Sequence, residues 1–174
     1  LNTTPELAWK TVLDLKKICD NSEKELRIYL TMSFDNPYDD PFNDDLVIKE
    51  VEKLCQAGIF DIVLSDTSGT GTPETIGRLC TYIVSKFPDA QPGLHLHTKP
   101  NDWQNKIDAA WEAGIRRFES ALGGYGGCPM TGYELLANLD TLDLAGWCNQ
   151  KHISSGIDEE ALREAQLQAI EVFV

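Results

Sequence analysis

Two histidines separated by one residue, His95 and His97, are the first feature of this 174-residue chain suited to chemistry. In an extended segment, residues two apart leave the same face with Cα atoms about 6.6 Å apart. The two imidazoles can therefore share one metal ion, or they can be satisfied by ordinary hydrogen bonds. Only three histidines occur in the chain, and two are spent here among oxygen-bearing residues. Such a nitrogen and oxygen set suits an octahedral Mg²⁺ or Mn²⁺. Asp66, followed by Thr67-Ser68-Gly69, can act as an acid/base group, as a ligand or merely as a helix cap. Gly123-Gly-Tyr-Gly-Gly127 gathers four of the 13 glycines directly before Cys128-Pro129. A loop of that kind lets backbone come close to a ligand at Gly126 and Gly127, or is a plain turn or lid. Cys128 is the cysteine placed to be reactive.

Other candidates are weaker. Neither glycine-rich stretch completes G-x-G-x-x-G between a strand and a helix, and no G-K-[ST] occurs, so neither route to nucleotide binding is supported. The five aspartates between Asp35 and Asp45 lack the spacing and glycine of a calcium loop and read as a solvated connection. Arg116-Arg117 reads as a surface pair, with an anionic substrate as the alternative.

The elements that must position these residues emerge from apolar periodicity. Thr4 caps a helix that begins at Pro5 and carries Leu7, Ala8, Val12, Leu15 and Ile18 on one stripe. Strands are predicted over 26–32, 59–65, 93–97 and 115–121. Helices are predicted from Leu46 to Gly58, from Thr72 to about Phe87, over 102–114, 133–146 and 158–173. Regular alternation of strands and helices implies an α/β fold of parallel, right-handed βαβ units. In such folds ligands bind at the carboxyl ends of the strands, where Ser33 to Pro37, Asp66 to Gly69, the histidine pair and the glycine loop all lie. A doubly wound sheet and a partial (β/α)₈ barrel both satisfy this pattern; four strands cannot close a full barrel, which takes about 250 residues.

Composition sets the outer limits. With 15 basic against 28 acidic residues the net charge is -13, which argues against nucleic acid as a partner. No apolar run is long enough for a membrane span and no signal peptide is visible. Five widely spaced cysteines with no C-x-x-C fit a reducing compartment, the cytoplasm or, in a eukaryote, the mitochondrial matrix. Cys19, Cys55 and Cys80 are expected to be buried as small apolar residues.

Taken in order and spacing, Asp66-Thr-Ser-Gly-Thr-Gly-Thr-Pro73, His95-x-His97 and Gly-Gly-Tyr-Gly-Gly-Cys128-Pro129 with Asn138-Leu-Asp-Thr resemble 3-hydroxy-3-methylglutaryl-CoA lyases. The likeness runs from about Asn2 to Trp147 and implies the carboxyl-terminal half of a (β/α)₈ barrel. It implies that His95, His97 and Asn138 bind a divalent cation, Mg²⁺ or Mn²⁺. It places Cys128, Asp66 and His95 at the reacting atoms, and Thr67, Gly126 and Gly127 against an acyl-CoA substrate. The implied reaction is a retro-Claisen cleavage of 3-hydroxy-3-methylglutaryl-CoA to acetyl-CoA and acetoacetate, by an enzyme that is a homodimer when complete. The family's first strand supplies an Asp ligand and an Arg that these 174 residues do not contain. The chain is therefore read as one domain lacking the first strands, binding metal weakly and catalysing poorly by itself. Thr98 stands where the family often has Asp. The alternatives are a related condensing enzyme such as a 2-isopropylmalate or homocitrate synthase, a 4-hydroxy-2-oxo acid aldolase, or a non-catalytic α/β binding module.

Overall fold

A computed structural model describes residues 3–36, 38, 40–99, 101–127 and 136–173. Along the chain run α1 (Pro5–Asn21), β1 (Arg27–Leu30), α2 (Asp44–Gln56), β2 (Asp61–Asp66), α3 (Pro73–Lys86), β3 (Gln91–Thr98), α4 (Gln104–Glu112) and β4 (Arg117–Glu119). After them come a 3₁₀ turn (Leu122–Gly124), β5 (Ala137–Asn138), α5 (Thr141–Gln150) and α6 (Glu159–Phe173). The helix starts obey local chemistry. Thr4 Oγ1 accepts from the Leu7 N–H and Asn43 Oδ1 from the Leu46 N–H. Thr72 and Thr75 cap one another reciprocally, with Pro73 as the first residue of α3.

β1 to β4 form a parallel sheet in the order β1-β2-β3-β4, the α/β arrangement expected from the sequence. One face is apolar. Ile62 and Leu64 of β2 and Leu94 and Leu96 of β3 pack with Val51 and Leu54 of α2, Ile76, Leu79 and Ile83 of α3, Ile107 of α4 and Trp147 of α5. The other face is polar, because alternate residues leave opposite sides of a strand. Arg27, Tyr29, Asp61, Ser65, His95, His97, Arg117 and Glu119 share that parity. Tyr29 of β1 donates its hydroxyl to Glu119 Oε1 of β4 at 2.8 Å. Three strand spacings would hold these two strands about 14 Å apart in a flat sheet, so the sheet curls and the polar face is its concave side.

Three expectations are corrected. The helix expected over 133–146 is not continuous: its first residues, 133–135, lie outside the described residues, and Ala137–Asn138 pairs antiparallel with β3. The helix begins only at Thr141, where Asp140 Oδ1 accepts from the Leu142 N–H. The apolar stripe of α1 does not become interior. Leu7, Leu15 and Ile18 are exposed, and only Trp9 and Val12 lie against the core. Among the cysteines Cys80 is buried and its thiol is pushed up to about 12 by desolvation, whereas Cys19 and Cys55 are only partly covered. Among the described residues no helix is long and apolar enough to cross a membrane.

Candidate active site

The register of the strands assembles the site. Ser65, His95 and Glu119 lie in one row across β2, β3 and β4. His97 lies one step further toward the carboxyl end, opposite Asn138 of β5. Both imidazoles are held at their Nδ1 atoms. His97 Nδ1 bonds the Thr67 carbonyl at 2.8 Å, and His95 Nδ1 bonds Glu119 Oε2 at 3.2 Å. Carbonyl and carboxylate oxygens only accept, so each ring carries a proton on Nδ1 and, when neutral, its lone pair on Nε2. The two Nε2 atoms face each other at 3.3 Å. Two acceptors cannot bond one another, and the arrangement calls for positive charge between them. Two imidazole nitrogens bound at right angles to one cation at ~2.1 Å would lie about 3.0 Å apart. The residues therefore fit a shared divalent ion, with Nδ1 partners of the kind that fix the tautomer of metal-binding histidines.

Burial first, and the neighbouring His97 second, hold the His95 ring below the ordinary histidine range, with Glu119 pulling the other way. A neutral ring is the form that ligates. Asn138 Nδ2 donates to the Tyr125 carbonyl at 2.8 Å, which leaves Oδ1 as the end of the amide suited to a cation. Among the described residues no group of three His, Cys, Asp or Glu side chains is arranged to hold a metal. With the two imidazoles, the Asn138 amide opposite His97 would complete the donor set.

The remaining expected residues fall into different places. Asp66 does not share the histidine face. Its strand parity turns it toward the helices, where Oδ1 accepts from the Gly71 N–H at 3.0 Å and Oδ2 from Lys106 Nζ at 3.1 Å. Thr67 is buried with both polar groups in use, its Oγ1 accepting from the Met32 N–H and its carbonyl serving His97. Gly126 and Gly127 are required by packing. They have φ of +101° and +135°, and a Cβ would stand 2.7 Å from Asn138 Nδ2 and 2.2 Å from the Leu136 carbonyl oxygen, respectively. Cys128 lies outside the described residues. Arg116 stacks on Trp111, and Arg117 bonds Asp61 Oδ1 at 2.7 Å.

Two residues of the site were not singled out by the sequence. Glu119 is the one acid of the 115–121 strand and shares the histidine parity, a signal that register makes readable. Lys106 carries no local signal, because its place is set by Asp66, forty residues earlier. Ser65 Oγ, beside His95, is buried without a hydrogen-bond partner among the described residues.

No family profile matches the chain. It is 35% identical over 130 residues to (R)-citramalyl-CoA lyase of Chloroflexus aurantiacus, covering 75% of this chain and 41% of that protein. The solved hydroxymethylglutaryl-CoA (HMG-CoA) lyase of Bacillus subtilis superimposes with a TM-score of 0.90 at 25% identity, over 98% of this chain and 57% of that one. An HMG-CoA lyase of Acinetobacter baumannii, solved with coenzyme A and 3-methylmalate, gives 0.85 at 28% identity, over 94% and 53%. The chain spans about half the length of the curated relatives it matches. In sequence and fold alike, the chain is a relative of the HMG-CoA and citramalyl-CoA lyases, and its curled parallel sheet corresponds to a part of their barrel.

Proposed function

We propose that the chain carries the metal-binding part of a carbon-carbon lyase acting on a 3-hydroxy-3-methylacyl-CoA, with HMG-CoA as the first substrate to test. One observation carries the reading: two imidazoles on one strand, each held through Nδ1, bring their Nε2 atoms to 3.3 Å from one another at the carboxyl end of the sheet. His95, His97 and Asn138 would hold Mg²⁺ or Mn²⁺. Such an ion supplies a Lewis acid that lowers the pKa of a tertiary hydroxyl and fixes the oxygens around it.

The chain's own groups supply the rest. Glu119 and the Thr67 carbonyl keep both rings in the ligating tautomer before substrate arrives, so no reorganisation is needed at the moment of reaction. In the cleavage, the hydroxyl proton departs, the bond between C2 and C3 breaks, and its electron pair passes to the thioester as an enolate, which is protonated to acetyl-CoA. Cys128, next after Gly127, is assigned the protonation of the enolate, and His95, with Nε2 toward the ion, would have only its Nδ1 proton to pass on, to Glu119. Asp66 is not given one, since both its oxygens are already engaged. The whole protein is proposed to act as a homodimer in a reducing compartment, without nucleic-acid or membrane partners.

A second substrate is favoured by the 35% identity to (R)-citramalyl-CoA lyase. Both thioesters have a tertiary 3-hydroxyl and a carboxylate, and they differ in the keto acid released. The test is to offer each to the protein at its full natural length, beside the 174-residue chain, with Mn²⁺ or Mg²⁺. Acetoacetate identifies the first substrate and pyruvate the second. Release of neither by the full-length protein contradicts the lyase reading and favours a condensing enzyme.

A further inference from the structure

Lysine is almost never wholly buried unless it is paired, and Lys106 of α4 is 2% exposed. Its Nζ has three protons and meets three acceptors: Asp66 Oδ2 at 3.1 Å, the Gly69 carbonyl at 2.8 Å and Asp102 Oδ2 at 3.1 Å. Asp66 is buried too, and its second oxygen takes the Gly71 N–H. Helix α4 is thereby tied to both limbs of the loop between β2 and α3. The far side of that loop lies against the histidine strand. Thr67 of the loop gives its carbonyl to His97 Nδ1. Gly69 sits so close that a Cβ there would stand 3.0 Å from the His97 carbonyl oxygen and 2.5 Å from Leu136 Cδ1. Leu136 leads within two residues to Asn138.

We infer that Lys106 is a positioning residue of the histidine centre, with Asp66 as its anchor: together they clamp the loop whose Thr67 carbonyl fixes the tautomer of His97. A well-packed apolar pair of similar volume is commonly as stable as a buried ion pair. What the ion pair adds is a fixed distance and direction between α4 and the loop. The inference rests on the reading of His97 as a ligand, and the test is chosen to separate the two.

The ring tautomers can be read in the metal-free protein at pH 8 from long-range ¹H–¹⁵N correlations, which three histidines leave simple. The unaltered protein should show His95 and His97 each as a single Nδ1–H tautomer. Lys106→Met leaves the Asp66 carboxylate buried without a cation and can fail to fold, so the deciding variant is Asp66→Asn/Lys106→Met, which buries no charge. In that double variant His97 should lose its single-tautomer signature while His95, held by Glu119, keeps its own. Mn²⁺ affinity should fall roughly 10- to 100-fold, as when the hydrogen-bond partner of a ligand is removed. A folded double variant in which His97 and Mn²⁺ affinity match the unaltered protein overturns the inference. If the unaltered protein shows both tautomers but binds no Mn²⁺, the metal reading fails, and the His97 signature in the double variant still decides the role of Lys106.

Discussion

The two ends of the concave face use similar side chains to opposite effect. Toward the amino ends of the strands, exposed Arg27 and partly buried Arg117 both pair with partly buried Asp61, with N–O separations of 3.0 and 2.7 Å. Toward the carboxyl ends, Ser65, Thr67 and His97 are buried, and the rings of His95 and His97 are aimed by Glu119 and Thr67 at one point. Ion pairs in water contribute about 0–1 kcal/mol and tolerate change. Polar groups withdrawn from water cost stability unless each is satisfied, and at this end the Ser65 hydroxyl has no partner among the described residues. The comparison sets an end suited to binding, the mouth, against an end that ties the strands together, the base, as at the two ends of parallel barrels.

The largest expected effect is at the mouth. His97→Ala should reduce Mn²⁺ affinity by at least about 100-fold, since even partners of ligands are worth 10- to 100-fold. Isothermal titration calorimetry checks this, and unchanged affinity would erase the contrast between the two ends. Glu119→Ala should cost roughly 10- to 100-fold by freeing the His95 ring, with no effect on the His97 tautomer. Ser65→Ala removes a buried hydroxyl that has no partner, so stability in urea should rise by about 1 kcal/mol while Mn²⁺ affinity stays level. The smallest effect belongs to the base: Arg117→Gln should change stability by less than about 1 kcal/mol, an effect that fades in 1 M salt, and should leave Mn²⁺ affinity as it was.

These residues also mark how much of the molecule is readable in its sequence. Thr72-Pro73 fixes the start of α3 locally, and the period-2 spacing of His95 and His97 puts both on one face, so the parallel α/β alternation and the histidine pair can be read directly, while the strand order cannot. The stretch from Tyr133 reads as a helix because its leucines suit one, whereas Asn138 is claimed by β3 and Asp140 provides a better start. Asp66 draws a chemical role from its place at a strand end, but its parity opposes that of Ser65 and sends it to the helix side. Lys106 and Glu119 depend on partners 40 and 24 residues away, a separation at which single-sequence periodicity says nothing.

The central claim is that His95 and His97 bind one divalent ion through their Nε2 atoms. Electron spin echo envelope modulation of the Mn²⁺-loaded protein tests it most directly, because it detects nitrogen coupled to the ion. The account predicts one Mn²⁺ per chain with coupling to two imidazole nitrogens, reduced to one in His97→Ala. Saturable Mn²⁺ without nitrogen coupling, or no saturable Mn²⁺ at all, would contradict it.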